Sequence, residues 1–533
     1  SVQTDYYCVA DDYFSSPDSI VQNIPSDLRN LGNGADYIII THKDFIPAAQ
    51  RLADYRSSNL QGVATPRIKV VDVDQIYNEF SFGLMNPLAL NSFAKYAYES
   101  WQTPAPQYIA LMGDMSYDYR KIFPTSRPNF IPSPSYHATI YGQAPSDNAI
   151  VTVSGNDIIP DIALGRISCE TMEEADILVD KIVNYPADVN KEWKQNVLLV
   201  SSGLSAEDEN QFKFNDRNIL LENSYLKPNG IKATKIFRYP NKPEYIQFQG
   251  EGPDIRREIN NGAVIVNYYG HGGGLQWDLV FTNDDIYELE NGDKLPLVIS
   301  VTCYTAHFEN QEIFGEIFNS IPGKGSIAFW GSSGVTFWPT TANINQDLFA
   351  SIFNNKNYVI GKAINVAKSN QNYGTMTALL TLLGDPAIEL AIPKKPDFVL
   401  KPSNISISPT NPLVNDTVSV KLAINNLGLS FPSDTVSLKL YERIISDTTL
   451  IDSISLPNFG ESDTTYFTWL PQESGLITLI ATINDEQGVP EDDFSDNTAS
   501  NSFSIFDFGE PSIIKPADGY FTNSGNIEFL ISD

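Results

Sequence analysis

Two segments of the sequence carry residues that could act together in nucleophilic catalysis. They are Val264-Ile-Val-Asn-Tyr-Tyr-Gly-His271-Gly-Gly-Gly and Leu295-Pro-Leu-Val-Ile-Ser-Val-Thr-Cys303, two apolar stretches that each end in a reactive side chain. A thiol must lose its proton before it attacks a carbonyl, and a nearby imidazole can take that proton and return it to a leaving amine. His271 and Cys303 therefore indicate a dyad for cleaving acyl bonds.

The two apolar stretches are expected to be strands that hold this dyad at one edge of a sheet. Sites in open α/β sheets form beyond the carboxyl ends of the strands, and successive parallel strands often lie side by side. His271 and Cys303 should then face each other across one crevice. Gly270 and Gly272 leave room for a substrate backbone, and the amides of Gly272 and Cys303 could donate to a developing oxyanion.

Each half of the dyad also has a simpler interpretation. A free cysteine at a strand end is commonly a small apolar core residue, and Gly-His-Gly-Gly-Gly alone could be a turn or a weak phosphate-binding loop. Cys303 and His307 could ligate a metal, but no further Cys or His completes the three or four ligands that zinc needs. The presence of both motifs at neighbouring strand ends favours catalysis.

Alternating strands and helices predict two α/β regions that must position the dyad. Residues 35–190 form the first and residues 191–393 the second, and this alternation is typical of βαβ units with a parallel sheet. The expected strands are Tyr37–Thr41, Ile68–Val73, Tyr108–Met112, Val197–Val200, Ala233–Phe237, Ala263–Asn267, Leu297–Val301 and Ser326–Trp330. The expected helices include Leu88–Trp101, one that starts with a capping box at Thr171–Glu174, Pro253–Asn260 and Ile313–Ile321.

The composition changes after a stiff linker at Pro393–Pro396. Residues 397–506 contain Ser/Thr/Asn-rich alternating strands with turn signals about every ten residues, which predicts an all-β, immunoglobulin-like sandwich. This region resembles bacterial adhesion-related modules. Residues 1–34 are assigned as a lead-in segment and residues 507–533 as the start of a further, truncated β domain.

Composition excludes several classes of protein. The 533 residues include 35 Lys and Arg against 65 Asp and Glu, a formal net charge of −30, so no basic surface is available for nucleic acid. No stretch approaches the ~20 apolar residues needed to span a bilayer, and the first residues lack the pattern of a signal peptide. We interpret the sequence as a mature fragment. Its three cysteines, Cys8, Cys169 and Cys303, exclude a disulfide scaffold and leave at least one free thiol.

A strand followed by His-Gly, and a later strand followed by Cys, resembles the pattern shared by caspases, legumains and gingipains. The sequence is most similar to the gingipain-like cysteine peptidases, from about Ala35 to Ile392. The resemblance rests on short motifs in a shared order: Gly34-Ala-Asp-Tyr-Ile-Ile-Ile-Thr41, Leu111-Met-Gly-Asp-Met-Ser-Tyr117, Pro145-Ser-Asp-Asn148, Asp161-Ile-Ala-Leu-Gly-Arg-Ile-Ser168, Asn267-Tyr-Tyr-Gly-His-Gly272, Leu295-Pro-Leu297, Thr302-Cys303 and Leu383-Gly-Asp-Pro386.

The resemblance implies a caspase-like catalytic unit of two α/β subdomains with an immunoglobulin-like domain behind it. It implies Cys303 as nucleophile, His271 as general base and acid, and Gly272 as an oxyanion donor. The segment Gly331–Trp338 resembles a wall of the family's primary specificity pocket, which makes Ser332, Ser333 and Trp338 candidate substrate-binding residues. Catalysis would need no cofactor, whereas structural Ca²⁺ is implied by the family and compatible with the acidic composition.

The sequence departs from the family where an acidic residue should orient the histidine. Gingipains carry this residue just after the strand that matches Val197–Val200, but here the strand runs into Ser201-Ser-Gly203. The nearest carboxylates, at residues 207–209, come several positions late. The carboxylate that selects arginine also has no secure counterpart, so the resemblance does not carry a preference for arginine or lysine.

The function predicted from the sequence is an exported cysteine endopeptidase that cleaves proteins or peptides through a thioester on Cys303. We expect secretion, or attachment to a bacterial cell surface, through further domains. One alternative keeps the chemistry in a sortase of the type IX secretion system that trims and transfers cargo. Another is an inert adhesion or binding protein, suggested by the missing acidic partner and by the sandwich domain.

Overall fold

The computed structural model describes most of the chain from residue 25 to residue 507. The described residues are 16, 20, 22, 25–138, 142–185, 192–203, 209–309, 313–370, 373–429, 435–457, 459–460, 462–491 and 493–507. For residues 209–212 only the backbone is described. Most of the lead-in segment, including Cys8, and the region assigned as a truncated domain beyond Asp507 lie outside these residues.

A ten-stranded sheet organises both α/β regions. Its strand order is β2-β1-β3-β6-β14-β13-β12-β9-β7-β8, and each α/β region contributes a contiguous block of this order. The strands of the sheet, with two short hairpins β4–β5 and β10–β11, are β1 Tyr37–Thr41, β2 Ile68–Asp72, β3 Tyr108–Met112, β4 Ser135–Ala138, β5 Gly142–Pro145, β6 Ala163–Ile167, β7 Asn196–Ser201, β8 Lys232–Phe237, β9 Ile265–Tyr269, β10 Gln276–Trp277, β11 Phe281–Thr282, β12 Leu297–Val301, β13 Ala328–Ser332 and β14 Leu380–Leu383.

Helices cover the sheet and bury its apolar strands. They are α1 Ile46–Arg56, α2 Val73–Phe80, α3 Pro87–Ser100, α4 Asn148–Val151, α5 Met172–Asn184, α6 Glu209–Leu221, α7 Gly252–Asn261, α8 Asn283–Tyr287, α9 Phe314–Ser320, α10 Trp338–Phe349, α11 Ile360–Ser369 and α12 Thr375–Leu379. Strands β1, β3, β9 and β12 are buried along their whole length, as strands covered on both faces must be.

One strand of the second region joins the two halves of the sheet. β14 pairs antiparallel with β13 and meets β6 at Leu383 and Arg166. The guanidinium of Arg166 is fully buried, where it forms a bidentate ion pair with Asp147 and donates to the carbonyls of Gly113 and Ile131. A buried charge of this kind is tolerated because a carboxylate pairs with it and each guanidinium nitrogen donates a hydrogen bond.

The region after the linker is an all-β unit of two four-stranded sheets. β15, β16, β17 and β20 form one sheet, and β18, β19, β21 and β22 form the other. Alternate residues of β17 are buried, which is the period of a half-buried strand. The bounds are β15 Phe398–Val399, β16 Ile405–Ser408, β17 Val418–Asn426, β18 Thr435–Ile444, β19 Asp447–Pro457, β20 Ser462–Trp469, β21 Gly475–Ile483 and β22 Thr498–Ile505.

The all-β unit contacts the α/β unit through a buried glutamine. The side-chain amide of Gln195, just before β7, donates to the carbonyls of Asn426 and Gly428 at 2.7 and 2.6 Å. Leu429 also belongs to the apolar core that covers one face of the large sheet. The two units are therefore joined by side-chain contacts as well as by the linker.

Several sequence-based assignments differ from the structure. β9 and β13 each begin two residues later than expected, and the helix start at Thr171 is capped by a variant of the capping box. Thr171 accepts from the Glu174 amide, but the Glu174 carboxylate accepts from the amide of Glu170 rather than that of Thr171.

A small cavity beyond the ends of β3 and β6 holds two buried carboxyl groups. The hydroxyl oxygen of Ser168 lies 3.0 Å from a carboxyl oxygen of Asp114, which follows β3, and 2.5 Å from one of Glu316 in α9. Arg127 pairs with Asp114 at 2.7 Å. Burial raises the pKa of Asp114 to about 6 against the opposing charge of Arg127. Burial, followed by the charge of Asp114, also raises the pKa of Glu316 well above its usual value. The pair therefore favours a protonated state.

We expect the α/β unit to lose less stability between pH 4.5 and pH 8 in the Glu316→Gln variant than in the wild type. Carboxyls whose pKa is raised by folding bind more protons in the native than in the unfolded state, so stability falls as pH rises through the native pKa. The neutral amide removes one of the two groups whose pKa is raised by folding, so the decrease in unfolding free energy between the two pH values should be smaller than in the wild type.

Urea-induced unfolding at both pH values measures this effect. Glu174→Gln is the matched control, because Glu174 lines the same cavity but accepts from a backbone amide, and it should behave as the wild type. An unchanged pH dependence in Glu316→Gln would show that the pair is not a source of proton-linked stability.

Candidate active site

The pairing of β9 with β12 brings the predicted dyad to one edge of the sheet. The two strands are parallel neighbours, and their last residues, Tyr269 and Val301, are register partners. His271 and Cys303 each lie two residues further along the chain. They therefore leave the same edge of the sheet from adjacent strands at matching positions.

The turns that carry the two residues pack directly against each other. A Cβ atom at Gly272 would lie 2.8 Å from Cγ2 of Thr302, and one at Gly270 would lie 2.5 Å from the carbonyl oxygen of Ser202. Only glycine permits such close approach. These two glycines thus bring the histidine turn against both the cysteine turn and the end of β7.

The Cys303 thiol is partly exposed and lies against the turn before α10. The backbone amide of Thr336 donates to Sγ at 3.3 Å, and the Thr336 hydroxyl lies 3.4 Å from the same sulfur. Cys169, the other free cysteine among the described residues, is 1% exposed, and burial raises its pKa well above the usual value. Of the two thiols, Cys303 is the one that a substrate can reach.

Aromatic packing fixes the backbone of the His271 turn. The hydroxyl of Tyr268 donates to the His271 carbonyl at 2.8 Å, and the Tyr268 ring stacks on Trp277 with centroids 4.6 Å apart. Trp277 is anchored in turn by a hydrogen bond from Nε1 to the hydroxyl of Ser300 at 2.9 Å. The imidazole of His271 packs edge to face against the Phe214 ring, with centroids 5.7 Å apart.

A buried carboxylate, Asp278, lies in the hairpin that comes after the histidine. It is 6% exposed, its φ is +50°, and it accepts a hydrogen bond from the Ser202 hydroxyl at 3.1 Å. Burial raises the pKa of Asp278, opposed by the Ser202 hydrogen bond and by the charges of Arg238 and His271. A left-handed aspartate held in place by packing is the kind of local strain found at functional sites.

Two serines occupy the end of β7, where the family would carry its acidic residue. Ser201 donates to the side chain of Asn215, and Ser202 to Asp278. A serine hydroxyl therefore links this strand end to a carboxylate from another element. The late carboxylates Glu207, Asp208 and Glu209 have side chains outside the described residues, so no third catalytic residue is assigned to them.

The structure separates the three predicted substrate-binding residues. Trp338 is half-buried at the start of α10, next to the Thr336 turn, and its ring meets Phe214 with centroids 5.3 Å apart. Ser332 and Ser333 are fully buried. The Ser332 hydroxyl accepts from the Gly334 amide and that of Ser333 donates to the Pro145 carbonyl at 2.7 Å.

The expected contact of Ser332 and Ser333 with substrate therefore requires correction. Both hydroxyls are engaged inside the protein: that of Ser332 bonds within its own turn, and that of Ser333 holds the end of β13 against the β4–β5 hairpin. Of the three predicted substrate-binding residues, Trp338 is the one that lies beside the Thr336 turn and is not buried.

The alternative metal pair is not assembled in this structure. His307 pairs through Nε2 with Glu309 at 2.9 Å. Within the described ranges, no group of three or more His, Cys, Asp or Glu side chains is arranged to hold a metal ion. The structural Ca²⁺ implied by the family resemblance therefore has no such group of ligands among the described residues, and it stays a prediction.

Sequence reasoning did not find Phe214, Asp278 or Thr336. Phe214 is an ordinary apolar residue of a helix, and its contacts with His271 and Trp338 join three separate elements. Asp278 carries a weak signal, since it comes after the tryptophan of a short hairpin directly beyond the glycine-rich turn. Nothing in the sequence around Thr336 indicates a contact with a thiol.

A mostly parallel α/β sheet that presents a cysteine and a histidine beyond adjacent strands defines the class of caspase-like cysteine peptidases. The chain belongs to peptidase family C25, whose family model matches residues 30–391. This confirms the gingipain-like assignment made from the sequence. A second family model, CARDB, matches residues 395–501, the region of the all-β unit.

Curated relatives and solved structures agree with this assignment. Gingipain R2 of Porphyromonas gingivalis strain W83 is 23% identical over 395 residues, covering 70% of this chain and 48% of the relative. Lys-gingipain of P. gingivalis is 27% identical over 186 residues, covering 34% of this chain and 10% of the relative. The crystal structure of the Arg-specific cysteine proteinase gingipain R matches with a TM-score of 0.54 and 16% identity, over 89% of this chain and 98% of that structure.

The matches span at most about half the length of these curated relatives, from 10% of Lys-gingipain to 48% of gingipain R2. At 16% identity the structural match establishes the fold and not the specificity. The family and the fold are therefore established, whereas the activity has to be inferred from this chain's own residues.

Proposed function

We propose that this chain is a cysteine endopeptidase that hydrolyses peptide bonds with the Cys303/His271 dyad. The observation that carries the proposal is the register of β9 and β12, which places both residues beyond adjacent strand ends. His271 takes the thiol proton, and the Cys303 sulfur attacks the carbonyl carbon of the scissile bond. The amides of Gly272 and Cys303 are the proposed donors to the oxyanion that forms.

Collapse of this intermediate breaks the C–N bond and leaves a thioester on Cys303. His271 returns its proton to the departing amine. Water then attacks the thioester, with His271 accepting a proton from the water, and the thiol is released with the carboxylic acid product. The peptidase family implies a protein or peptide as the substrate.

We also propose that the protein acts outside the cytoplasm, as a secreted or surface protein. Its relationship to gingipains and the CARDB match support this proposal. Within the part of the chain that the structure describes, no helix is both long and apolar enough to cross a membrane. Lys-gingipain and gingipain R2 among the curated relatives favour a peptidase over the sortase alternative.

Labelling of the thiols tests this proposal and separates it from an inert binding protein. The protein is treated at pH 7 with two biotinylated peptidyl acyloxymethyl ketones that carry leucine or lysine next to the reactive group. We expect at least one probe to modify Cys303 stoichiometrically, and about 10²-fold faster than Cys169, because attack needs an accessible and activated thiol.

Mass spectrometry of tryptic peptides identifies the modified cysteine, and Cys169 serves as an internal control. Equal and slow labelling of both thiols by both probes would contradict the peptidase assignment and favour the inert alternative.

A further inference from the structure

An aromatic surface borders the proposed nucleophile on the side where α10 begins. Thr336 contacts the Cys303 sulfur through its amide and hydroxyl, and the chain continues through Phe337 into Trp338. Phe337 is 51% exposed and Trp338 is half-buried. When the sulfur attacks a peptide carbonyl, the side chain that precedes the scissile bond (P1) must lie close to the sulfur. This turn therefore offers it a surface.

Two further side chains extend this surface towards the histidine and behind the turn. The Phe214 ring meets both His271 and Trp338 edge to face, at centroid distances of 5.7 and 5.3 Å. The sulfur of Met376 accepts from the amide of Phe337 at 3.3 Å. Phe214 and Met376 are almost fully buried, so they give the surface an apolar base that continues to the imidazole.

The carboxylates near this surface are already engaged. Asp278 is buried and accepts from Ser202, and Glu309, beyond the cysteine turn, is 7% exposed and pairs with His307 at 2.9 Å. Asp347 of α10 accepts from the hydroxyl of Tyr373. Among the described residues, the contacts of the aromatic surface itself supply no open carboxylate.

These observations allow an inference about the substrate, which rests on the proposed peptidase function. We propose that the aromatic surface formed by Phe337 and Trp338, with Phe214 and Met376 behind it, selects a large apolar P1 side chain. A lysine or arginine placed there would lose hydration, and the described carboxylates beside this surface already have partners. An aromatic or long aliphatic side chain gains from burial and from edge-to-face contact.

The inference separates this chain from its named relatives. Lys-gingipain and the Arg-specific gingipain R are named for cationic residues. On this proposal the peptidase unit is shared, while the side chain recognised at P1 changes from a cation to an apolar group.

Fluorogenic peptides that differ only at P1 test the proposal on the whole chain. We expect kcat/KM for Phe, Leu or Met at P1 to exceed that for Lys and Arg by about 50-fold or more, since a site without a partner for a charge rejects it strongly. A preference for Lys or Arg would overturn this inference while supporting the peptidase function. Absence of cleavage of every peptide, together with absent labelling of Cys303, would overturn both.

Trp338→Ala gives a second test that does not depend on how much protein is active. The ratio of kcat/KM for P1 Phe to that for P1 Ala should fall about 10-fold, because the variant removes the surface that only the larger side chain uses. Phe82→Ala, which removes a 98% exposed aromatic between α2 and α3, is the control and should keep the wild-type ratio. An unchanged ratio in Trp338→Ala would exclude this surface as the P1 site.

Discussion

Replacement of Cys303 with alanine is expected to abolish peptide hydrolysis, with a decrease in kcat/KM of about 10⁴-fold or more. The sulfur is the proposed covalent partner of the substrate. Among the described residues its hydrogen-bond contacts are the amide and hydroxyl of Thr336, and neither is a thiol that could replace it. Loss of a nucleophile removes the acyl-enzyme route altogether, so residual catalysis comes only from binding and the oxyanion donors.

The same substitution should leave the fold almost unchanged. Cys303 is partly exposed and lies in a turn beyond β12, outside the buried core of the sheet. Removing one sulfur atom from such a position should change the unfolding free energy by less than about 1 kcal/mol. Loss of activity in Cys303→Ala can therefore be assigned to chemistry and not to unfolding.

Cys169→Ala is the matched control, because it removes the buried free thiol. It should lose some stability through the cavity it creates, yet retain most of its activity. Active-site titration, kcat/KM for the best peptide and the melting temperature are measured for both variants. Retention of hydrolysis by Cys303→Ala would contradict the proposed mechanism.

Strand periodicity located much of the fold, and its errors have a physical explanation. β1, β3 and β12 agree with the sequence residue for residue, because buried parallel strands are continuous apolar runs between polar turns. β9 was expected to start at Ala263, but its pairing with β7 and β12 begins at Ile265, although Ala263 and Val264 are already buried. Hydrophobicity marks burial and not the start of pairing.

The strand that joins the two halves was not predicted, for a related reason. Met376–Leu383 is one apolar run in the sequence, but its first part forms α12 and its last part β14. Short apolar runs do not distinguish a buried helix from a buried strand. Leu380–Leu383 form a strand because they pair with β13, which is distant in the sequence.

The site residues divide in the same way into those marked by a local sequence pattern and those brought in by folding. His271 and Cys303 could be predicted because each follows an apolar run in the sequence. Asp278 and Phe214 reach His271 only through folding of a hairpin and packing of α6, so no spacing rule indicates them. Ser332 was expected to face substrate, yet it is buried because β13 continues to Ser332, two residues beyond its predicted end, and its hydroxyl caps the turn that follows.

His271→Ala should lower kcat/KM by about 10³-fold or more, the second large effect. The variant lacks the imidazole that takes the thiol proton and returns it to the leaving amine. Because the Tyr268 hydroxyl holds the His271 carbonyl and not its ring, the turn should keep its conformation in the variant. Alkylation of Cys303 by iodoacetamide at pH 7 should slow at the same time towards that of an ordinary thiol.

Asp278→Asn should give a smaller, diagnostic effect on the same histidine. A carboxylate stabilises the imidazolium that forms during proton transfer, whereas an amide of equal size keeps the packing and removes the charge. We expect kcat/KM to fall about 10-fold and the shape of its pH profile to change, with partial recovery in Asp278→Glu. A merely structural carboxylate would lower activity without changing the shape of that profile.

Asp285→Asn controls for loss of a carboxylate from the neighbouring helix α8. Asp285 accepts from Thr282 at the start of that helix and pairs with Arg256, so its substitution weakens local structure without touching His271. Its pH profile should match the wild type. A wild-type profile in Asp278→Asn would remove Asp278 from the positioning of the histidine, and full activity in His271→Ala would overturn the dyad. The two results separate the proton carrier from the charge that supports it, because each variant leaves the other group in place.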